Sequence, residues 1–153
     1  MPSYLIDTNI IGILTRSRDH RRKRITKFIN SLVERDKIII SETVLREVEE
    51  NPQESIREKE LRVVGKVVDD ICPVTTEIEE LAEELEKKIN ERLKEYNLVV
   101  YYNDMEIVAA AALNKYKLIT ADHRTLLKGK IMKAIKDVLK EKGLRIEMWD
   151  PSS

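Results

Sequence analysis

A chain of 153 residues has the length of one ordinary domain, expected to span 1–153, and its 42% hydrophobic content is enough for a core. Its 28 Lys and Arg balance 28 Asp and Glu, so no basic field covers the whole molecule and any nucleic-acid contact must come from a local patch. The lone Cys72 excludes an internal disulfide and a cysteine-based metal cluster, and fits a reducing cytosol. The charged fraction of 37% exceeds the usual ~25% and leans on Glu and Lys, a thermophile-like bias. No charged-then-apolar leader opens the chain and no apolar run approaches the ~18 residues of a membrane span, so a soluble, cytoplasmic protein is expected.

Tyr4-Leu5-Ile6 reads as a short buried strand, with Asp7 at its carboxyl end. In open α/β sheets that end is where ligands collect. Thr8 and Asn9 are good N-caps for a helix carrying Ile10, Ile11 and Leu14. Residues 15–24 form the one dense basic cluster, read as a solvated face unless it lies beside a site that handles phosphate. The spacing of Ile25, Phe28, Ile29, Leu32 and Val33 predicts a helix running to about Glu34. Lys37-Ile38-Ile39-Ile40 is a second buried strand, and Ser41 caps a helix with Val44, Leu45 and Val48 on one face. Glu47 falls near that apolar face, and Asn51-Pro52 ends the helix.

A further helix is predicted from Glu54 to about Val68, and 70–74 resembles a short strand that Pro73 pushes toward an edge. Thr76 and Glu79 form a capping box opening a long charged helix, whose narrow stripe of Ile78, Leu81, Leu85, Ile89 and Leu93 suits packing on the domain surface or against a partner. Asn103 as N-cap and Glu106 as its reciprocal partner open an alanine-rich helix with Asp104 in the first turn. Tyr116 to Asp122 is a strand that again ends in an acid. Leu126-Leu127 and Ile131 to Leu139 give a last helix, closed by Lys142-Gly143, before an alternating strand at 143–149. Strands alternating with helices predict a parallel sheet with right-handed crossovers and helices on both faces.

Asp7, Glu47, Asp104 and Asp122 can all face the carboxyl edge of such a sheet. Carboxylates forced together repel unless a cation neutralises them. Without cysteine clusters, and with two His that fit no ligand pairing, the matching cation is hard: Mg²⁺ or Mn²⁺ with oxygen ligands. Such ions bind phosphate oxygens and support in-line displacement, which is phosphodiester chemistry. On physical grounds alone, Asp7→Ala is expected to stabilise the metal-free chain by relieving repulsion.

Four segments also resemble a family. Ile6-Asp7-Thr8-Asn9 resembles the opening of PIN-domain nucleases, and Ser41-Glu42-Thr43-Val44-Leu45-Arg46-Glu47-Val48 their second segment. Asn103-Asp104-Met105-Glu106 with the following Ile-Val-Ala run is similar to the third, and Leu118-Ile119-Thr120-Ala121-Asp122 to the fourth. The resemblance implies a three-layer α/β/α sandwich around a five-stranded parallel sheet, and Mg²⁺- or Mn²⁺-dependent endoribonuclease activity on single-stranded RNA. Members of this length are often VapC-type toxins, commonly dimeric and paired with a small antitoxin; a stand-alone RNA-processing enzyme or a catalytically weak RNA- or protein-binding module is the alternative.

By that resemblance Asp7, Asp104 and Asp122 hold metal, Glu47 holds a water, and Asn9 and Thr120 orient carboxylates, with helix capping and a strand-end hydroxyl as their structural alternatives. Arg16, Arg21 and Arg22 are the candidates for RNA phosphates. Tyr101 and Tyr102 could stack on bases, but are assigned to buried or interface packing, and His20 and His123 to the surface. A response-regulator-like receiver fits less well, because Asp70 precedes the third strand instead of following it.

Overall fold

The computed structural model describes residues 2–32 and 36–153. Its strands are β1 (Ser3–Ile6), β2 (Lys37–Ser41), β3 (Asp70–Cys72), β4 (Lys117–Ile119) and β5 (Glu147–Trp149). Its helices are α1 (Thr8–Thr15), α2 (Arg22–Ser31), α3 (Glu42–Glu49), α4 (Glu54–Val67), α5 (Thr76–Leu93), α6 (Tyr102–Asn114) and α7 (Gly129–Glu141), with one 3₁₀ turn at Lys94–Tyr96. The expected end of the second helix, Val33 and Glu34, lies outside the described residues.

The sheet is parallel throughout, in the order β3-β2-β1-β4-β5. β1 to β3 step outward in one direction and β4 to β5 in the other. Right-handed crossovers therefore put α1–α4 on one face and α5–α7 on the opposite face. Most helix contacts divide the same way, with α1 against α2, α3 and α4, and α5 against α6 and α7, while α3 also meets α6. The reversal of direction falls between β1 and β4, and such a switch point leaves a crevice outside the strands' carboxyl ends.

The β-branched strands are buried because helices cover both faces; Leu5, Ile40 and Leu118 are fully buried. The alanines 109–112 of α6 are also buried, which lets α5 pack closely outside it. The α5 stripe from Ile78 to Leu93 is buried against α6 and α7 and so is satisfied within the chain. Helix α4 departs from its apolar pattern. Ile56 and Leu61 are exposed, and the one fully buried position is Glu60, which faces Gly12 on α1. Among the described residues no helix is long and apolar enough to cross a membrane.

Three caps differ from expectation. The α1 cap is Asp7 itself, whose carboxylate accepts the Thr8 amide. The α5 cap is Thr75, accepting from the Ile78 amide at 3.2 Å, so the Thr76–Glu79 box is displaced by one residue. Helix α6 begins at Tyr102, with Tyr101 at the cap position and no side-chain cap, so Asn103 and Glu106 form no box. Ser41 does cap α3, accepting from the Val44 amide at 3.1 Å.

Thr75→Ala is expected to lower stability by about 1 kcal/mol and Thr76→Ala by much less. Urea unfolding of the two variants checks the assignment; equal losses would contradict it.

Candidate metal centre

β1 and β4 are aligned so that Ile6 sits beside Ile119, which brings Asp7 opposite Thr120 at the switch point. The Asp7 amide donates to the Ile119 carbonyl at 3.0 Å, continuing the ladder one step beyond the strands. Asp7 is buried, and its two oxygens are held separately. Oδ1 accepts the Thr8 amide at 2.8 Å; Oδ2 accepts the Thr120 hydroxyl at 2.9 Å and the Asn9 amide group at 3.3 Å. Asn9 also accepts the Ala121 amide at 2.9 Å, tying the β1 end to the β4 end. The Thr120 hydroxyl in turn accepts the Asp122 amide at 3.1 Å. Asn9 and Thr120 thus both hydrogen-bond to the Asp7 carboxylate, and Asn9 does not cap the helix.

Asp122 is set by its own turn. Its Oδ1 accepts the Arg124 amide at 3.2 Å and the Thr125 amide at 2.9 Å. The neighbouring His123 is exposed and places Nε2 2.8 Å from Oδ2 of the buried Asp150, linking this turn to the C-terminal segment. Glu47 reaches the site from the far end of α3, where the Thr8 hydroxyl donates to its Oε2 at 2.9 Å.

Sequence reading misses Thr8 in that role and misreads Glu106. The Glu106 carboxylate is buried and accepts the Thr43 hydroxyl, joining α6 to α3. Tyr102 also bonds Glu106, and burial together with that carboxylate pushes the Tyr102 phenol up to about 12. This brace couples the helix carrying Asp104 to the helix carrying Glu47. Its one trace in the sequence is spacing: Thr43 and Glu47, like Tyr102 and Glu106, stand four apart, on one helix face.

The four acids share one field. Burial first, then Asp7, Asp122 and Glu47, push Asp104 up to about 7. Burial also raises Asp7, with Asp122 adding to the rise against the Thr8, Thr120 and Asn9 hydrogen bonds. Glu47 is raised chiefly by burial, with Asp7 contributing. Carboxylates raised by neighbouring charge, as Asp7, Glu47 and Asp104 are, are what a bound dication lowers again, and an all-oxygen set suits a hard ion. Among the described residues no three acidic, His or Cys side chains close around a single point that would hold an ion. The acids converge, but as separately tethered neighbours; among them Asp104 owes its shift to burial and charge alone, with no hydrogen bond contributing.

The basic cluster is largely self-contained. Arg21 binds Asp19 through Nε at 3.0 Å and Nη2 at 2.9 Å, and that fork holds the Asp19 carboxyl well below the usual carboxylate range. Arg16 stands 3.8 Å from Asp19, and Arg22 donates to the Leu14 carbonyl at 3.0 Å. None of the contacts described for these three reaches the four acids. Tyr101 is 66% exposed in the chain, because as the unpaired cap residue of α6 it has no helix or strand above it, so it is not packed in the core; Tyr102 is the one that packs there.

These tethers change which acid is dispensable. Asp7→Ala removes the α1 cap and strands the Thr120 hydroxyl, so it is expected to destabilise even as it relieves repulsion. Asp104 behaves oppositely. The folded chain keeps its proton to about 7, whereas the unfolded chain, near the ordinary 3.8, has already lost it. Metal-free stability therefore falls as pH rises through roughly 4 to 7. Asp104→Asn is expected to flatten that fall and raise the melting temperature at about pH 8 by about 2–4 °C. Thermal melts in EDTA at about pH 5 and about pH 8 check this, and a variant melting below the wild type at the higher pH contradicts it.

The family model for the PIN domain matches residues 4–130. No curated protein matches the chain. Among solved structures, VapBC-1 from nontypeable Haemophilus influenzae aligns with a TM-score of 0.67 at 19% identity, covering 99% of this chain and 99% of that one. VapBC2 from Rickettsia felis, bound to a promoter DNA fragment, aligns at 0.59 and 18% identity over 97% and 99%. VapC20 from Mycobacterium tuberculosis, a sarcin–ricin-loop-cleaving toxin, aligns at 0.56 and 16% identity over 76% and 86%. At these identities the structures establish the shared α/β fold, and the family match carries the assignment: the chain belongs to the PIN domain family.

Proposed function

We propose that this chain is a divalent-metal-dependent endoribonuclease acting on single-stranded RNA, and that it is the toxin of a pair with a small antitoxin protein. The observation that carries the nuclease reading is the convergence of Asp7, Glu47, Asp104 and Asp122 on the switch-point crevice, where each of the first three is raised by the charge of another member. The toxin reading is supported by the solved structures that share the fold, several of which are toxin–antitoxin complexes. A second copy of the chain is part of the same proposal.

In this reading Asp7, Asp104 and Asp122 hold Mg²⁺ or Mn²⁺, which when bound supplies positive charge to the phosphodiester and its leaving oxygen. The chain's own residues do the positioning. Thr120 and Asn9 fix Oδ2 of Asp7, and the Arg124 and Thr125 amides fix Asp122. Thr8 holds Oε2 of Glu47, leaving Oε1 to orient the attacking water in line with the scissile bond. The Thr43–Glu106 brace keeps α3 and α6 in register, so that Glu47 and Asp104 keep their separation.

Cleavage of a single-stranded RNA panel is expected with Mn²⁺ or Mg²⁺ and none with EDTA. Asp104→Asn is expected to slow it by more than about 100-fold, and Thr120→Ala by about 10–100-fold. Activity that survives both EDTA and Asp104→Asn overturns the nuclease reading. For the toxin role, expression is expected to arrest growth, Asp104→Asn to abolish the arrest, and co-expression of a small protein encoded beside this gene to relieve it. Growth unaffected by the wild-type chain overturns that role.

A further inference from the structure

Among the described residues six large hydrophobic side chains are exposed, and three of them, Tyr96, Val99 and Tyr101, fall within one short stretch. Tyr101 is 66% exposed, Val99 53% and Tyr96 44%. The stretch joins the carboxyl end of α5 to the start of α6, whose first turn carries Asp104. It therefore sits on the same edge of the sheet as the four acids.

This is a built surface rather than a loose loop. Asn90 on α5 clamps it from below, donating Nδ2 to the Val100 carbonyl at 3.0 Å and accepting the Val100 amide at 2.8 Å. Val100 is buried and Asn97 takes a left-handed turn at φ 55°. Tyr101 then anchors the helix by accepting the Met105 amide at 3.1 Å through its backbone. Burying Val100 between two exposed neighbours fixes Val99 and Tyr101 outward. Holding apolar rings in water has no benefit to folding, so their exposure calls for a ligand.

The surroundings specify which kind. Lys130, at the start of α7, places Nζ 3.6 Å from the centroid of the Tyr96 ring. Behind that pair lies a cleft of about 700 Å³ between α5 and α7, lined by Arg92, Lys94, Lys130 and Lys133 against three carboxylates. Of the two exposed rings, Tyr96 carries Lys130 over its face and Glu95 at its hydroxyl; an exposed ring beside a row of lysines is a pattern that single-stranded nucleic acid uses, because bases stack on rings and phosphates follow the charges. A protein interface would also use the tyrosines, so the discriminating feature is the set of Lys94, Lys130 and Lys133, a residue type depleted at protein interfaces.

We propose that the 96–101 segment is a base-stacking platform for single-stranded RNA: Tyr101 receives a nucleobase close to the phosphate being cut, and Tyr96 with Lys130 and Lys133 carries the strand on toward the α5–α7 cleft. This rests on the nuclease reading above and assigns its substrate track to a different face from the Arg16–Arg22 cluster. Double-stranded RNA, whose bases are already stacked, does not use the platform.

The test uses the full chain with Ca²⁺ in place of the catalytic ion and a labelled single-stranded RNA of about ten nucleotides. Tyr101→Ala is expected to weaken binding at least about fivefold, and Tyr101→Phe to retain it, since the ring and not the hydroxyl does the stacking. In Tyr101→Trp, the RNA is expected to quench the new indole's emission and an abasic ribose–phosphate strand of equal length to leave it unchanged. Wild-type affinity in Tyr101→Ala, equal quenching by the abasic strand, or a change confined to self-association or antitoxin binding overturns the platform. The readings separate cleanly. Metal-dependent cleavage with an unaltered KM in Tyr101→Ala removes the platform and leaves the nuclease standing, whereas a wild-type chain that neither binds nor cuts single-stranded RNA removes both. The Phe and Trp variants keep the surface filled, so a folding defect in Tyr101→Ala does not shield the proposal.

Discussion

Repulsion among carboxylates is the constraint around which this molecule is arranged. Asp7 is buried at the end of a central strand, the least favourable place for a negative charge, and it lies within the field of Asp122. The fold tolerates it by supplying donors: a backbone amide, a hydroxyl and an amide group from Thr8, Thr120 and Asn9. Those same donors stitch the ends of β1 and β4 together. The site and the sheet's switch point are thus one piece of structure, and neither can be altered without the other.

The acids differ in how much the fold invests in them. Asp7 and Asp122 each accept two or more hydrogen bonds and cap local structure, so part of their role is satisfied by the chain itself. Asp104 has burial and like charge without a compensating donor, and this is where the strain collects. A dication entering the crevice would relieve Asp104 most. That asymmetry sets Asp104 apart from the other three acids.

Much of this is legible in the chain because strand-end acids announce themselves. Asp7 and Asp122 follow short apolar runs, and four motifs occur in family order, so the sheet and the crevice can be read before any coordinates. The caps are harder. Thr75 and Thr76 are adjacent and chemically identical, and only backbone geometry chooses between them. Glu106 satisfies a capping pattern by spacing, yet burial draws it toward Thr43, sixty-three residues away, a contact that no local pattern encodes. Tyr101 is undecided for a related reason: an aromatic before an apolar helix can pack in the core or at an interface, and only tertiary structure shows that it is exposed on the single chain.

Mn²⁺ binding followed by electron paramagnetic resonance of the free ion tests most directly whether these acids form one cation site, and it needs no substrate. The wild-type chain is expected to deplete the free Mn²⁺ signal, with the affinity falling at least about tenfold in Asp104→Asn and again in Thr120→Ala, whose hydroxyl touches no ion but aims Asp7. Equal affinity in all three proteins, or none in the wild type, would mean that the carboxylates share a crevice without sharing an ion.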